Sequence, residues 1–313
     1  MLQAPHRHIA VNSEKERFVL KLFDNLWERY RGRVIHVQRY EKMIRDHGGN
    51  FVNDHIAFRT IASQHPATGI STLSRLFQAL GYAPKACYEF PDKHMASIHM
   101  AHPNANFPKL FITELKTWEL SEPARRIITG TLKSHRPAFP DAGLAKLRNA
   151  DENSSKENTL LLKSLIRLFN ELPWKLPRKR DVIELEKETQ FGAWVLLNGY
   201  EVNHFTASVN SHGVDGLNDI EKTVDALKKA GVPMKKEIEG ERGSLLRQSS
   251  TESVVLPFWV KGKDRKEKLN WTYAYFEIAQ RGFFTNPQTG RSERFEGFLG
   301  AQATHLFDMT KRR

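Results

Sequence analysis

The chain has 313 residues, 40% hydrophobic and 27% charged, which is enough for a sizeable core in an ordinary soluble globular protein. No apolar run reaches the roughly 20 residues of a membrane span, and the opening Met1-Leu2-Gln3-Ala4-Pro5-His6-Arg7-His8 has no apolar signal region, so a cytoplasmic protein with no membrane partner is expected. A single cysteine, Cys87, excludes an intrachain disulfide and a cysteine-built zinc site. Any metal must therefore be held by imidazole and carboxylate.

In chain order, Ser13-Glu14-Lys15-Glu16 reads as a capping box, with Glu16 reaching back to the cap. Phe18, Leu22, Leu26 and Tyr30 follow at four-residue spacing and predict a helix over 14–31. A second helix is expected over 37–46, closed by Gly48-Gly49, the pair packing outside the catalytic core. From Asn53 the pattern changes to a strand over 55–60, an amphipathic helix over 71–80 ending at Gly81, and strands over 86–90, 96–101 and 109–116. That is a βαβββ unit. The stretch 121–188 is richer in charge and helix formers, with a polar break at 149–155, and reads as a helical insertion. A second unit then runs through a strand over 203–209, a helix over 217–229 followed by Gly231, and strands over 234–239, 245–249 and 271–280.

His55 precedes Gly81 by 26 residues and His204 precedes Gly231 by 27, a match that suggests duplication. The expected fold class is α+β, with two βαβββ modules forming a half-open barrel. The segments are 1–50 (N-terminal helices), 51–120 (first module), 121–190 (helical insertion) and 191–313 (second module with a C-terminal helix).

The net charge of +12 gathers in three runs, Lys175 to Arg180, Lys261 to Lys266, and Lys311-Arg312-Arg313. Clustered cations raise nucleic acid as a partner, but no DNA- or RNA-binding motif accompanies them. They read as solvated loops and a tail, with small anions or an acidic substrate as the remaining uses.

The chemistry concentrates in two similar stretches, Val52-Asn53-Asp54-His55-Ile56-Ala57-Phe58-Arg59 and Glu201-Val202-Asn203-His204-Phe205-Thr206. Side chains alternate across a strand, so His55, Ala57 and Arg59 share one face, as do His204 and Thr206, and as do Tyr275, Glu277 and Ala279. If each module curls into half a barrel, those faces converge. Two histidines and one carboxylate are the donor set of a mononuclear non-haem iron site. Glu114, on the last strand of the first module, is the expected symmetry mate of Glu277, a fourth ligand or a residue just outside the ligands.

Arg59 lies on the His55 face and suits a bidentate grip on a substrate carboxylate, the alternative being a salt bridge to Glu114 or Asp54. Arg247, Gln248 and Ser249 are candidates for the substrate's other end. Asn53 and Asn203 precede the two motifs and either support the histidines or begin the strands. His94, His99 and His102 lie close together but have no partner at the repeat position.

Two resemblances follow from these residues. Phe276-Glu277-Ile278-Ala279-Gln280-Arg281, then Phe295-Glu296-Gly297-Phe298-Leu299-Gly300-Ala301 and a helix with Leu306-Phe307, resembles the end of 4-hydroxyphenylpyruvate dioxygenases of the vicinal oxygen chelate superfamily. More closely, Asn53 to Thr60, Pro108 to Leu115 and Gly199 to Thr206 resemble the 2-oxoadipate dioxygenase/decarboxylase family, over about residues 14–310. That resemblance implies an Fe(II) enzyme turning 2-oxoadipate and O₂ into 2-hydroxyglutarate and CO₂ in lysine breakdown. Matched position by position, His55, His204 and Glu277 fall on its metal ligands and Arg59 on its substrate arginine. Two other readings stay open: a non-redox glyoxalase-type isomerase or lyase on Zn²⁺ or Ni²⁺ with Glu114 ligating, and a basic anion- or nucleic-acid-binding protein without catalysis.

Overall fold

The computed structural model describes residues 5–136 and 139–299. The expected C-terminal helix around Leu306-Phe307 and the basic run at 311–313 lie outside them. Helix α1 (Glu14–Arg33) begins where the Ser13 hydroxyl accepts from the Glu16 amide at 3.2 Å. Glu16 reaches back one residue further than a strict capping box, to the amide of Asn12 at 2.6 Å. Helix α2 (His36–Asp46) follows.

The first module comprises β1 (Asn53–Ala62), α3 (Ile70–Ala79), β2 (Ala83–Phe90), β3 (Met95–Ala101) and β4 (Lys109–Lys116). Five helices form the insertion: α4 (Glu122–Leu132), α5 (Asp141–Arg148), α6 (Ser155–Asn170), α7 (Lys179–Glu188) and α8 (Gln190–Asn198). Then come β5 (Val202–Ser208), α9 (Ile220–Lys229), β6 (Leu246–Ser250), β7 (Val255–Lys261), β8 (Lys266–Thr272) and β9 (Glu277–Arg281). The short strands β10 (Phe283–Thr285) and β11 (Ser292–Arg294) pair with each other.

Seven strands form one curled, half-barrel sheet in the order β2-β3-β4-β1-β5-β9-β6. Its centre is the antiparallel seam between β1 and β5, and each of these first strands has its own module's last strand as its parallel outer neighbour. β1 is buried along its whole length because both of its faces are covered. On one face Phe58 meets Phe77 of α3 and Phe169 of α6, and Phe205 of β5 meets Trp27 and Tyr30 of α1. By strand alternation His55, Ala57, Arg59 and His204 point the other way, into the curl.

Two elements differ from expectation in the second module. The segment 234–239 makes only two isolated bridges, Met234 to Thr251 and Glu239 to Gln248, instead of a strand. It lies at the sheet edge, between Pro233 and Gly240, where charged Lys235, Lys236 and Glu237 discourage a regular ladder. The expected long strand 271–280 is broken. Its first residues belong to β8, which forms a hairpin with β7 that the sequence did not suggest, and 273–276 carry the chain from that hairpin into the main sheet. Lys261 to Lys266 form the hairpin turn.

Candidate metal centre

The seam between β1 and β5 contains two β-bulges, one per strand. Along β1 the pairing passes from Asn53 opposite Ala207 to His55 opposite Thr206, leaving Asp54 as the extra residue. Along β5 it passes from His204 opposite Ala57 to Val202 opposite Phe58, leaving Asn203 extra. Each bulged residue is the one before a histidine. A bulge re-aims side chains, and here both unpaired residues turn toward the imidazole that follows: His55 Nδ1 lies 2.8 Å from Asp54 Oδ1 and His204 Nδ1 3.0 Å from Asn203 Oδ1. With Nδ1–H donating on each ring, both Nε2 lone pairs face a common centre, where the Thr206 hydroxyl lies 3.0 Å from His55 Nε2.

Glu277 faces that centre from β9. Its Oε1 is 3.2 Å from His55 Nε2, its Oε2 3.6 Å from His204 Nε2, and one ligand atom from each of the three residues lies within 4.8 Å of the others. Oε1 accepts from Gln248 Nε2 at 2.6 Å and from the Thr206 hydroxyl at 3.1 Å. Oε2 is buried and has no hydrogen-bond partner among the described residues. A buried carboxylate oxygen left bare costs free energy unless a cation meets it, so two imidazole nitrogens and this oxygen fit a divalent metal.

Charge supports the same reading. Burial lowers the His204 pKa to about 3, with Glu277 opposing the shift, so this imidazole is neutral as a ligand must be. For His55 burial acts in the same direction, but the Asp54 hydrogen bond and Glu277 outweigh it and raise its proton affinity. Burial would raise the Glu277 pKa, yet the two histidines and Thr206 hold it below the ordinary carboxylate value. An anionic pocket that attracts a proton to His55 also attracts a metal cation in its place.

Tyr275 stacks on His204 with ring centroids 4.8 Å apart, and Phe298 packs edge-on against His55 at 4.9 Å. Arg59 is buried, lies over the rings of Phe191 and Trp194 at 4.9 and 5.2 Å, and hydrogen-bonds Tyr275. Of the two acidic residues expected near it, Asp54 pairs with Arg281 and Glu114 accepts from the amide of Ile70. Arg59, Thr113, Gln248, Tyr275 and Phe298 line a cavity of about 30 Å³ beside the histidines, room for a water molecule.

Three expectations need correction. Glu114 is on the opposite face of β4, where its Oε2 accepts from the amide of Ile70 at 2.7 Å, the first residue of α3. The register explains this. Glu277 pairs with Thr206, two residues after His204, and the residue paired with Ala57, two after His55, is Phe111. Phe111 is therefore the symmetry mate of Glu277.

Arg247 also points away from the site, donating to Glu221 Oε1 at 2.9 Å and to the Gly240 carbonyl at 3.2 Å. Ser249 shares that face and bonds the Glu237 carbonyl. Of the three consecutive residues, alternation lets only Gln248 reach the site. Asn53 takes the second of its two expected roles, beginning β1, and contacts His6 Nε2 at 3.0 Å, while the counterpart of Asn203 is Asp54.

The sequence reading missed Arg281, which was legible only as an arginine four residues past Glu277. Its Nη1 holds the carbonyls of Phe295 and Gly297 at 3.1 and 2.8 Å, fixing the segment that carries Phe298 over the site. His99 reaches the same side, packs against Phe298, and has a buried Nε2 with no partner among the described residues.

The family model described as 2-oxoadipate dioxygenase/decarboxylase matches residues 24–308. The Arabidopsis thaliana protein named 2-oxoadipate dioxygenase/decarboxylase, chloroplastic, is 28% identical over 280 residues, covering 82% of this chain and 67% of the relative. Two crystal structures share the fold. The hydroxyglutarate synthase of Oryza sativa in complex with 2-oxoadipate has a TM-score of 0.75 at 24% identity, over 96% of this chain and 95% of that one. A Ralstonia eutropha protein assigned to the glyoxalase superfamily has a TM-score of 0.76 at 19% identity, over 91% and 85%. The match across nearly the whole length, on a half-barrel with a buried His-His-Glu cluster, means that the chain belongs to the 2-oxoadipate dioxygenase/decarboxylase family.

Proposed function

We propose that this protein converts 2-oxoadipate and O₂ into 2-hydroxyglutarate and CO₂ with Fe(II) held by His55, His204 and Glu277, as a step in lysine breakdown. The observation that carries the reading is the bare, buried Oε2 of Glu277 facing two outward Nε2 lone pairs. Bound iron would supply a chelation point for a 2-oxo acid and the activation of O₂.

The chain's own residues do the rest. Asp54 and Asn203 fix the ring orientation and tautomer of the two histidines, and Gln248 and Thr206 fix the Glu277 carboxylate. Arg59 grips one substrate carboxylate through its guanidinium fork, and the Phe191 and Trp194 rings hold that fork in place. Phe298 and Phe111 keep the site dry. Phe298 and Leu299 line the cavity beside the histidines, on the side an entering acid would meet.

The non-redox alternative needed Glu114 as a ligand, and that residue lies on the other face of β4. For compartment we propose the cytoplasm. The Arabidopsis relative is named chloroplastic, and no helix among the described residues is long and apolar enough to cross a membrane. Fractionation of cells expressing the tagged chain tests that placement.

The deciding experiment is anaerobic reconstitution with Fe(II), followed by O₂ uptake across 2-oxo acids of increasing length and with or without a terminal carboxylate. We expect uptake matched by CO₂ release, greatest with 2-oxoadipate. Turnover without O₂, or with Zn²⁺ in place of iron, would overturn the proposal.

A further inference from the structure

The fold brings together two of the basic runs that the sequence separates. Arg178 and Lys261 form a parallel backbone bridge, and the Lys261 amide donates to the Pro177 carbonyl at 2.8 Å, tying the start of α7 to the turn of the β7–β8 hairpin. Between them lies a cavity of about 450 Å³ lined by Arg178, Lys179, Arg180, Lys261, Lys263 and Glu267. A second cavity of about 400 Å³ shares Arg178 and Lys261 and adds Arg126, Lys175 and Asp181. None of these residues lines the metal-site cavity.

Lys179 has Glu267 at 3.3 Å and Arg180 has Asp181 at 3.3 Å. Among the described residues Arg178, Lys261 and Lys263 have no carboxylate within ion-pair distance. Like charges held in a concavity repel one another and focus a positive potential there, which an anion relieves. The backbone bridge between Arg178 and Lys261 keeps the two basic segments side by side.

We propose that this cleft binds a small oligophosphate anion. Five cations against the two carboxylates of Glu267 and Asp181 call for a ligand with several negative charges on closely spaced oxygens. An oligophosphate supplies that, whereas the family's dicarboxylate substrate carries one charge at each end. Arginine forks and lysine point charges are the usual phosphate donors, and the cavity is of small-ligand size. A single nucleic-acid strand would also want a free aromatic platform. The exposed Trp259 on the same hairpin already carries the ammonium groups of Lys266 and Lys268, each 5.4 Å from its ring centroid.

The test is calorimetric titration of the full chain with inorganic tripolyphosphate at constant ionic strength. Lys261 and Lys263 are exposed, so the Lys261→Glu/Lys263→Glu double variant keeps the fold. We expect saturable binding that weakens at least about tenfold in the double variant, the loss of one or more charge-assisted contacts. It should be unchanged in Lys21→Glu, an exposed lysine on α1. Absence of saturable binding would overturn the proposal. Equal loss in Lys21→Glu would reduce it to a diffuse ion atmosphere, and displacement of tripolyphosphate by a tighter-binding single-stranded oligonucleotide would replace it with a nucleic-acid groove.

Discussion

Arg281 and Asp54 form a two-point ion pair directly behind His55: Nε is 2.5 Å from Oδ2 and Nη2 is 2.7 Å from Oδ1, with both side chains buried. Asp54 in turn accepts a hydrogen bond from His55 Nδ1–H. β9 thus supplies Glu277 to the metal centre and, four residues later, the arginine that steadies the residue behind His55. Arg281→Lys keeps the charge but loses the fork. We expect metal affinity to fall about tenfold to a hundredfold, as for other groups that orient ligands, measured by Co(II) titration. Asp54→Ala leaves Arg281 buried without its anion and should cost about 3–5 kcal/mol in chemical denaturation. Unchanged metal affinity in both variants would remove the positioning role.

Replacing His55, His204 or Glu277 by alanine should abolish stoichiometric iron retention together with O₂ uptake. A variant of any of the three that binds Fe(II) and turns over normally would contradict the assignment.

Arg59→Lys should raise the apparent KM for 2-oxoadipate about tenfold to a hundredfold, the worth of one charge-assisted fork. Iron content should stay at the wild-type level. The contrast between kinetics and metal content separates substrate binding from a structural role.

Glu114→Ala should lose about 1 kcal/mol of stability, since the carboxylate accepts the first amide of α3 as a cap does. Metal stoichiometry should not change. Loss of iron in this variant would restore Glu114 as a ligand.

The metal-free protein should lose stability as the pH falls below about 6.5. His204 and His99 each have a folded-state pKa near 3, lowered by burial, against 6.5 for an ordinary histidine, so between these values the unfolded state binds more protons. Their contribution is complete above the unfolded value and disappears as the pH falls through the folded one. His55 has the opposite sign: its raised pKa gives stability that is fully present below 6.5 and is lost only at higher pH. Within the window it therefore adds no slope. Denaturation midpoints between pH 4 and 6.5 should slope less in His204→Gln than in wild type; an identical slope would contradict the buried neutral state.

The duplicated histidine strand could be read from the sequence because donor types and spacing are local properties, and the helix-ending Gly81 and Gly231 marked the two copies. The misplacements of Glu114, Arg247 and Ser249 share one cause. A strand's alternation says which neighbours share a face, but which face turns inward depends on pairing with a strand far along the chain. The supporting role of Asp54 was hidden for a related reason, since an unbroken strand would point it away from His55, and the bulge exists only in the pairing of β1 with β5.

The sequence alone determined the chemistry available: no thiol site, two equivalent imidazoles, one carboxylate on a late strand, and an arginine on the His55 face. Tertiary structure decided which of these groups meet. A one-residue change of register moves a side chain to the other side of the sheet, and that register is set by cross-strand hydrogen bonds between segments some 150 residues apart.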